Sequence, residues 1–261
     1  MSTSLQFDKD ASDRLVAMYV TPDLVSQRNQ VLQAFSLHPG DHVLDIGSGP
    51  GFLASAMGEA VGPSGWVCGV DVSEPLLAVA KKYCAHQSQI EFRQGDATKL
   101  PFPDHQFDAA VSAQVLEYVS DIKTALTEIY RVLRPAGQVV ILDTDWDSIV
   151  WHTTNRGRMN RIMAAWEQHA IDPYLPRTLA EKLRQAGFQV EEQQIIPMFN
   201  PIFGPNTFSN CLIDLIVPYV SDRNGVTRDE AAAWAQELRQ RGEQEEYFFS
   251  LNRYLFIAKK P

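Results

Sequence analysis

Clusters of basic residues are missing from this 261-residue chain. Its 23 Lys and Arg stand against 32 Asp and Glu, for a formal net charge of -9, and no run of cations gathers anywhere. A surface that tracks phosphates needs such a run, so nucleic acid is not expected as a partner. Cysteine is scarce as well. Cys68, Cys84 and Cys211 are odd in number, scattered, and without metal-ligand spacing to any His. That argues against a disulfide framework or a bound metal and fits a reducing cytoplasm. No apolar run is long enough to span a bilayer, and Met1 to Asp8 lacks the basic start and apolar stretch of a secretion signal. No internal repeat, low-complexity tract or linker divides the chain. With 45% hydrophobic and 21% charged residues, it is long enough for one α/β domain with a sizeable core.

The most telling stretch is Val43-Leu44-Asp45-Ile46-Gly47-Ser48-Gly49-Pro50-Gly51-Phe52. An apolar strand enters a glycine-rich turn, and a helix starts directly behind it. Glycine permits positive φ and lets a ligand approach the main chain, while the helix offers unpaired N–H groups. Such a unit makes a nucleotide-type pocket at the carboxyl edge of a parallel sheet, but several cofactor classes use it. What discriminates is the acid closing each later strand. Trp66 to Asp71 reads as a second strand ending in Asp71, and Ile90 to Ala97 as a third ending in Gly95-Asp96. Leu100-Pro101-Phe102-Pro103 precedes a fourth, entered through Asp108.

This ordered series resembles the class I S-adenosylmethionine-dependent methyltransferases, in the branch with the quinone C-methyltransferases and many small-molecule enzymes. The resemblance covers about residues 30–145, and the tail Tyr247 to Ala258 is similar to the family's last strand. It implies a Rossmann-like, seven-stranded, mostly parallel sheet with an antiparallel last strand and helices on both faces. Residues 1–38 would form an N-terminal helical lid, 39–145 the cofactor-binding core, and 146–261 a substrate cap with the closing strands, all in one domain. The alternating strands and helices to about residue 143 call independently for a parallel sheet. Leu15 to Leu37 reads as two helical pieces, broken where Thr21 can cap and Pro22 can open the next turn.

The resemblance implies a set of contacts with S-adenosylmethionine. Gly47, Ser48, Gly49 and Gly51 pass the methionyl part, with Asp45 beneath the loop orienting the amino group. Asp71 accepts from both ribose hydroxyls. Val72 packs on the adenine, which Gly95, Asp96 and Ala97 meet at its edge, and Gln114 falls where the chain passes the methionyl group. Arg28, set among apolar helix neighbours, can fork onto the cofactor carboxylate or simply be solvated. Asp45 can equally pin the loop.

The acceptor side is less legible. His152 is the natural base near neutral pH, though a lone loop His is commonly a surface residue. Tyr19 on the entry helix and Asp145 in the loop after the fifth strand are further catalytic candidates. Tyr19, Trp146, Trp151, Phe199 and Phe203 are the candidates for binding the acceptor, with both tryptophans equally readable as core. Asp143, Asp145 and Asp147 alternate as hard-cation ligands can, but solvated carboxylates at a strand end are the stronger reading, and no metal is expected. The apolar stretch Pro197 to Phe203 is expected to fold over the cleft and build the acceptor pocket. No Asn-Pro-Pro-Tyr-like segment follows the fourth strand, which argues against methylation of bases or glutamine. The arsenic-methylating relatives' cysteine set is also missing.

The expected activity is methyl transfer to a moderately apolar small molecule (phenolic, quinol, polyketide-like or amine) by a monomer or homodimer, with no membrane partner. A protein methyltransferase, a non-catalytic S-adenosylmethionine-binding subunit and a nicotinamide-dependent oxidoreductase are the alternatives.

Overall fold

The structure is a computed structural model that describes residues 9–261. Met1 to Asp8, read above as lacking a secretion signal, lies outside the described residues. The chain begins with two helices, α1 (Lys9–Tyr19) and α2 (Pro22–Gln33). They break at the expected dipeptide, but Thr21 does not cap α2: its hydroxyl donates back to the Met18 carbonyl at 2.8 Å.

A seven-stranded sheet follows, built from β1 (His42–Ile46), β2 (Trp66–Asp71), β3 (Ile90–Gln94), β4 (Phe107–Ala113), β5 (Leu133–Trp151), β6 (Gln189–Asn200) and β7 (Phe249–Lys259). The strand order is β3-β2-β1-β4-β5-β7-β6. The first five strands run parallel, and β7 inserts antiparallel to both β5 and β6. The central strands are buried on both faces, which is why Val43-Leu44 and Ala109-Ala110-Val111 read as continuous apolar runs.

Helices cover both faces. The helices α3 (Phe52–Val61) and α4 (Glu74–Tyr83) lie on one side with α2. There Val31, Met57, Val61 and Leu77 meet Val43, Val67 and Val111. The other side carries α5 (Ile122–Val132) and α7 (Pro176–Gln185), whose Leu126, Ile129, Leu179 and Leu183 meet Leu44, Ile141 and Phe256. Asp121 caps α5, accepting from the Thr124 amide at 3.0 Å, and Ser73 caps α4.

Beyond residue 143 the observed path departs from expectation. The stretch read as a loop continues as β5 up to Trp151, because β7 keeps pairing with it. The register shifts between Asp145 and Val150, where the Ser148 hydroxyl accepts from the Asn252 amide at 2.9 Å. The extended strands carry a third core with α6 (Arg156–Trp166), α8 (Phe208–Val220) and α9 (Arg228–Glu243), and α1 leans on α8. Trp234 sits fully buried at its centre, edge-on to Trp151 at 5.4 Å, its indole N–H facing the Met159 sulfur at 3.3 Å. Replacing Trp234 by Ala should remove about 3–5 kcal/mol of stability through the cavity left behind. Urea unfolding measures this, and a loss under 1 kcal/mol would mean that the helical cap is not cooperative with the sheet.

Candidate active site

The parallel strands deliver their carboxyl ends to one cleft. After β1 the chain turns through Gly47 and Gly49, whose φ values of 68° and 50° belong to the left-handed region that glycine tolerates. Gly47 has a second constraint, since a β-carbon there would lie 2.1 Å from Val115 in the turn after β4. Several hydrogen bonds fasten that turn to β5, beginning with the Gln114 amide, which donates to the Leu142 carbonyl at 2.7 Å. The Val115 amide donates to Asp143 Oδ1 at 3.1 Å, the Thr144 amide donates to Glu117 Oε2 at 3.2 Å, and the Thr144 hydroxyl donates to Gln114 Oε1 at 2.6 Å. Gln114 itself takes a positive φ of 62°.

Two cavities open at this edge. The wider holds about 550 Å³ and is lined among others by Gly47, Gly49, Asp71, Val72, Gly95, Asp96, Ala97 and Gln114, with Leu15, Tyr19, Val115, Tyr118, Val119, Ser120, Asp121 and Thr124 farther along its wall. A space of that size suits a drug-sized ligand. The smaller, about 40 Å³, lies between α2 and the glycine turn and is lined by Tyr19, Arg28, Asp45, Gly47 and Ser48. Tyr19 borders both.

The polar groups are prepared for a ligand. Asp71 accepts from the Gly49 amide through Oδ2 and from the Ser73 amide through Oδ1, both at 2.8 Å, leaving a lone pair on each oxygen. Asp96 uses Oδ1 for Thr98, so Oδ2 is spare. Asp45 is buried, its Oδ2 lacks a partner, and so does the Ser48 hydroxyl. Burial, reinforced by Asp71, pushes the Asp45 carboxyl up to about 7. Arg28 donates to the Tyr19 carbonyl at 3.4 Å and lies 5.4 Å over the Phe52 ring.

Several sequence candidates are not brought here. Gly51 lines neither cavity: it opens α3 at φ 82°, packed where a β-carbon would lie 2.9 Å from Ala80. His152 is exposed beyond the end of β5, its ring against the Glu246 carbonyl at 2.9 Å. Trp151 is a core anchor, donating to the Tyr247 hydroxyl at 2.9 Å, and Trp146 is buried edge-on to His169 at 4.6 Å. Asp145 is committed to a two-pronged pair with Arg177, both bonds at 2.9 Å, and Asp147 closes on the same guanidinium at 2.7 Å. Asp143 is fully buried rather than solvated. Phe199 is exposed beside Phe248, and Phe203 packs on Tyr247, so the Pro197 to Phe203 stretch builds no wall of either cavity. Glu117, Tyr118 and Arg253 gather near Tyr19 instead, and sequence reading assigned them no role. Their one signal was a charge set inside an apolar run.

A methyltransferase-domain family profile matches residues 44–141. A demethylmenaquinone methyltransferase of Symbiobacterium thermophilum is 32% identical over 181 residues, covering 60% of this chain and 72% of that protein. A demethylmenaquinone methyltransferase of Staphylococcus aureus is 39% identical over 117 residues, covering 45% of this chain and 48% of that one. The chain belongs to the class I S-adenosylmethionine-dependent methyltransferases. It spans about half the length of several curated relatives it matches. The solved BH2331 protein of Bacillus halodurans superposes with a TM-score of 0.66 at 20% identity, over 90% of this chain and 99% of that one, which speaks for the fold.

S-adenosylmethionine fits the donor set of this methyltransferase. An unpartnered buried carboxyl oxygen, a spare hydroxyl and a half-buried guanidinium converge on the small cavity, as a zwitterionic amino acid requires. With its value raised to about 7, Asp45 is substantially protonated in the free protein below neutrality, and an ammonium partner favours its ionised form. Affinity for S-adenosylmethionine should therefore rise about tenfold from pH 5.5 to 7 and lose that dependence in Asp45→Asn. Titration calorimetry in two buffers reads both the affinity and the released proton. In the free protein the sign is opposite: the raised value favours folding at low pH, and that contribution fades as pH climbs through about 7.

Proposed function

We propose that this methyltransferase moves the methyl group of S-adenosylmethionine to a moderately apolar small molecule. One observation carries the reading: past the cofactor-type acids, the wall of the wide cavity presents Leu15, Tyr19, Val115, Tyr118 and Val119, a mostly apolar set with two phenols, joined by the polar Ser120, Asp121 and Thr124. The demethylmenaquinone methyltransferases among its relatives support a phenolic or quinol acceptor over an amine.

In this reading Arg28 forks onto the cofactor carboxylate and Asp45 receives the ammonium, with Ser48 beside it. Asp71 holds both ribose hydroxyls, Val72 covers the adenine, and Asp96 with the Ala97 amide meets its edge. Gln114, pinned by Thr144, shapes the methionyl passage. The sulfonium supplies an already activated methyl, so the protein's task is alignment and exclusion of water. Tyr19 bridges both cavities from α1 and suits that task as a hydrogen-bonding gate. Burial pushes its phenol up to about 12, which leaves it a poor base by itself at neutral pH. Among the described residues no helix is long and apolar enough to cross a membrane. A monomer or homodimer working in the cytoplasm accords with the scarce cysteines and absent basic clusters.

The test is a metabolite screen read out as S-adenosylhomocysteine, beside calorimetry with S-adenosylmethionine and NAD. Binding of the nicotinamide alone would reverse the assignment. Asp71→Ala removes the ribose acceptor and the Gly49 anchor together, and should weaken S-adenosylmethionine by roughly 10- to 100-fold. Unchanged affinity would remove its role.

A further inference from the structure

Behind the acceptor wall lies a buried set of charges that neither cofactor binding nor the fold's helices explain. Glu117 and Asp143 are both fully buried, and Arg253 nearly so. Each acid accepts from a backbone amide, Glu117 from Thr144 and Asp143 from Val115, and the Glu117 carboxyl is also faced by the Tyr118 hydroxyl and the Trp146 indole. Arg253 does not close on either acid. It donates to Gln27 of α2 and lies 4.7 Å from the centre of the Phe208 ring. For fastening the turn through the Thr144 amide, a neutral amide oxygen would serve as well at lower desolvation cost. The Tyr118 hydroxyl adjoins the Glu117 carboxyl, and Tyr118 itself lines the wide cavity.

We propose that Tyr118 and Glu117 form a proton relay from the cavity into this buried pocket, serving an acceptor that surrenders a proton as it is methylated. The inference rests on the methyltransferase reading and narrows its acceptor to hydroxyls and acidic carbons, away from thioethers and neutral amines. As the acceptor's electron pair bonds to the methyl carbon, the carbon–sulfur bond breaks and sulfur keeps its pair. The acceptor's proton passes to the Tyr118 oxygen while the Tyr118 proton passes to the Glu117 carboxylate; after product leaves, the two transfers reverse, Tyr118 giving its proton to water in the cavity and taking the one on Glu117. Glu117 is the positioning residue; Tyr118 is the group that meets the acceptor.

The surroundings suit this cycle. Facing the relay are Asp143 from β5, Arg253 from β7, Tyr19 from α1 and His169 from the turn after α6. Two acids and one guanidinium balance when the acids share one proton. Burial, then the Glu117 charge, drives Asp143 well above the ordinary carboxylate range. Burial lifts Glu117 to about 7, opposed by the Thr144 amide and Arg253, so it can ionise near neutrality. His169, lowered by burial to about 4, stays neutral and does not compete. Turnover should accordingly rise with pH through about 7 and then level.

The experiment pairs a spectroscopic arm with a kinetic one. The alkaline ultraviolet titration of Tyr118, isolated by subtracting Tyr118→Phe, should shift to lower pH in Glu117→Gln, because a negative neighbour has gone. No shift overturns the relay. With 1-naphthol and 1,4-naphthoquinol as acceptors, Glu117→Gln should lose about 10²- to 10⁴-fold in kcat and its rising pH limb. Glu117→Asp should recover part of both, and calorimetric affinity for S-adenosylmethionine should stay within twofold. Unchanged kcat, or cofactor affinity falling in step with kcat, overturns the relay in favour of a purely structural clasp. So does wild-type turnover of dimethyl sulfide or tryptamine without turnover of either hydroxyl probe. Failure of the wild type to bind S-adenosylmethionine would be a different result, defeating the parent reading itself.

Discussion

The contact between Gly47 and Val115 is the constraint on which the cleft depends. One belongs to the turn after β1, the other to the turn after β4, and they meet only because position 47 carries no β-carbon. Val115 in turn is held by its amide donating to Asp143 on β5. Three neighbouring strands are thus tied together above their last sheet bond. The order β2-β1-β4-β5 makes this possible, since β1 and β4 are adjacent where the strand sequence reverses direction. The cleft opens at that switch, with Asp71 on one side and Glu117 on the other.

Burying acids at this edge is costly unless each finds donors. Asp71 solves the problem with two backbone amides and Asp143 with one. Asp45 and Glu117 solve it only in part, and both are pushed up to about 7 for the same first reason, desolvation. Such incompletely satisfied carboxyls are where a ligand's positive charge or a mobile proton gains most. Both sheet faces, by contrast, are closed by aliphatic and aromatic packing.

Much of this rim was legible in the residues because it is written in local order. Asp71 and Asp96 each follow an apolar strand, and Gly47 and Gly49 follow another, so position along the chain predicts position in space. The antiparallel closing strand was also readable from Tyr247 to Ala258. Other features were not, for identifiable reasons. Gly51 carries the same letter as its neighbours but serves helix packing, a distinction made by Ala80 of the adjacent α4 and Phe92 of β3. Asp143 to His152 looked like a loop because its alternating acids mask a strand, and only pairing with β7 keeps it extended. His152 lies exposed past the end of β5 and Trp151 in the core, the surface and core alternatives that their residue types also allow. Glu117 and Arg253 are single charges in apolar runs, and their partners Thr144 and Gln27 are 27 and 226 residues away.

That last separation explains how the residues after 146 shape the acceptor site without lining it. The lid helix α2 is gripped from the cap: Asp23 accepts from the Asn200 side chain at 2.9 Å and from the Phe208 amide at 2.7 Å. Arg253 adds a second grip through Gln27, and α1 rests against α8. Tyr19 closes α1 and Arg28 lies within α2, so both ligand-facing groups are carried on elements whose position the cap sets. A change in the packing of α8 would move Tyr19 and Arg28 together. In the proposed reading this joins acceptor selection to cofactor retention, with the bulky residues between 197 and 220 fixing where α1 and α2 sit.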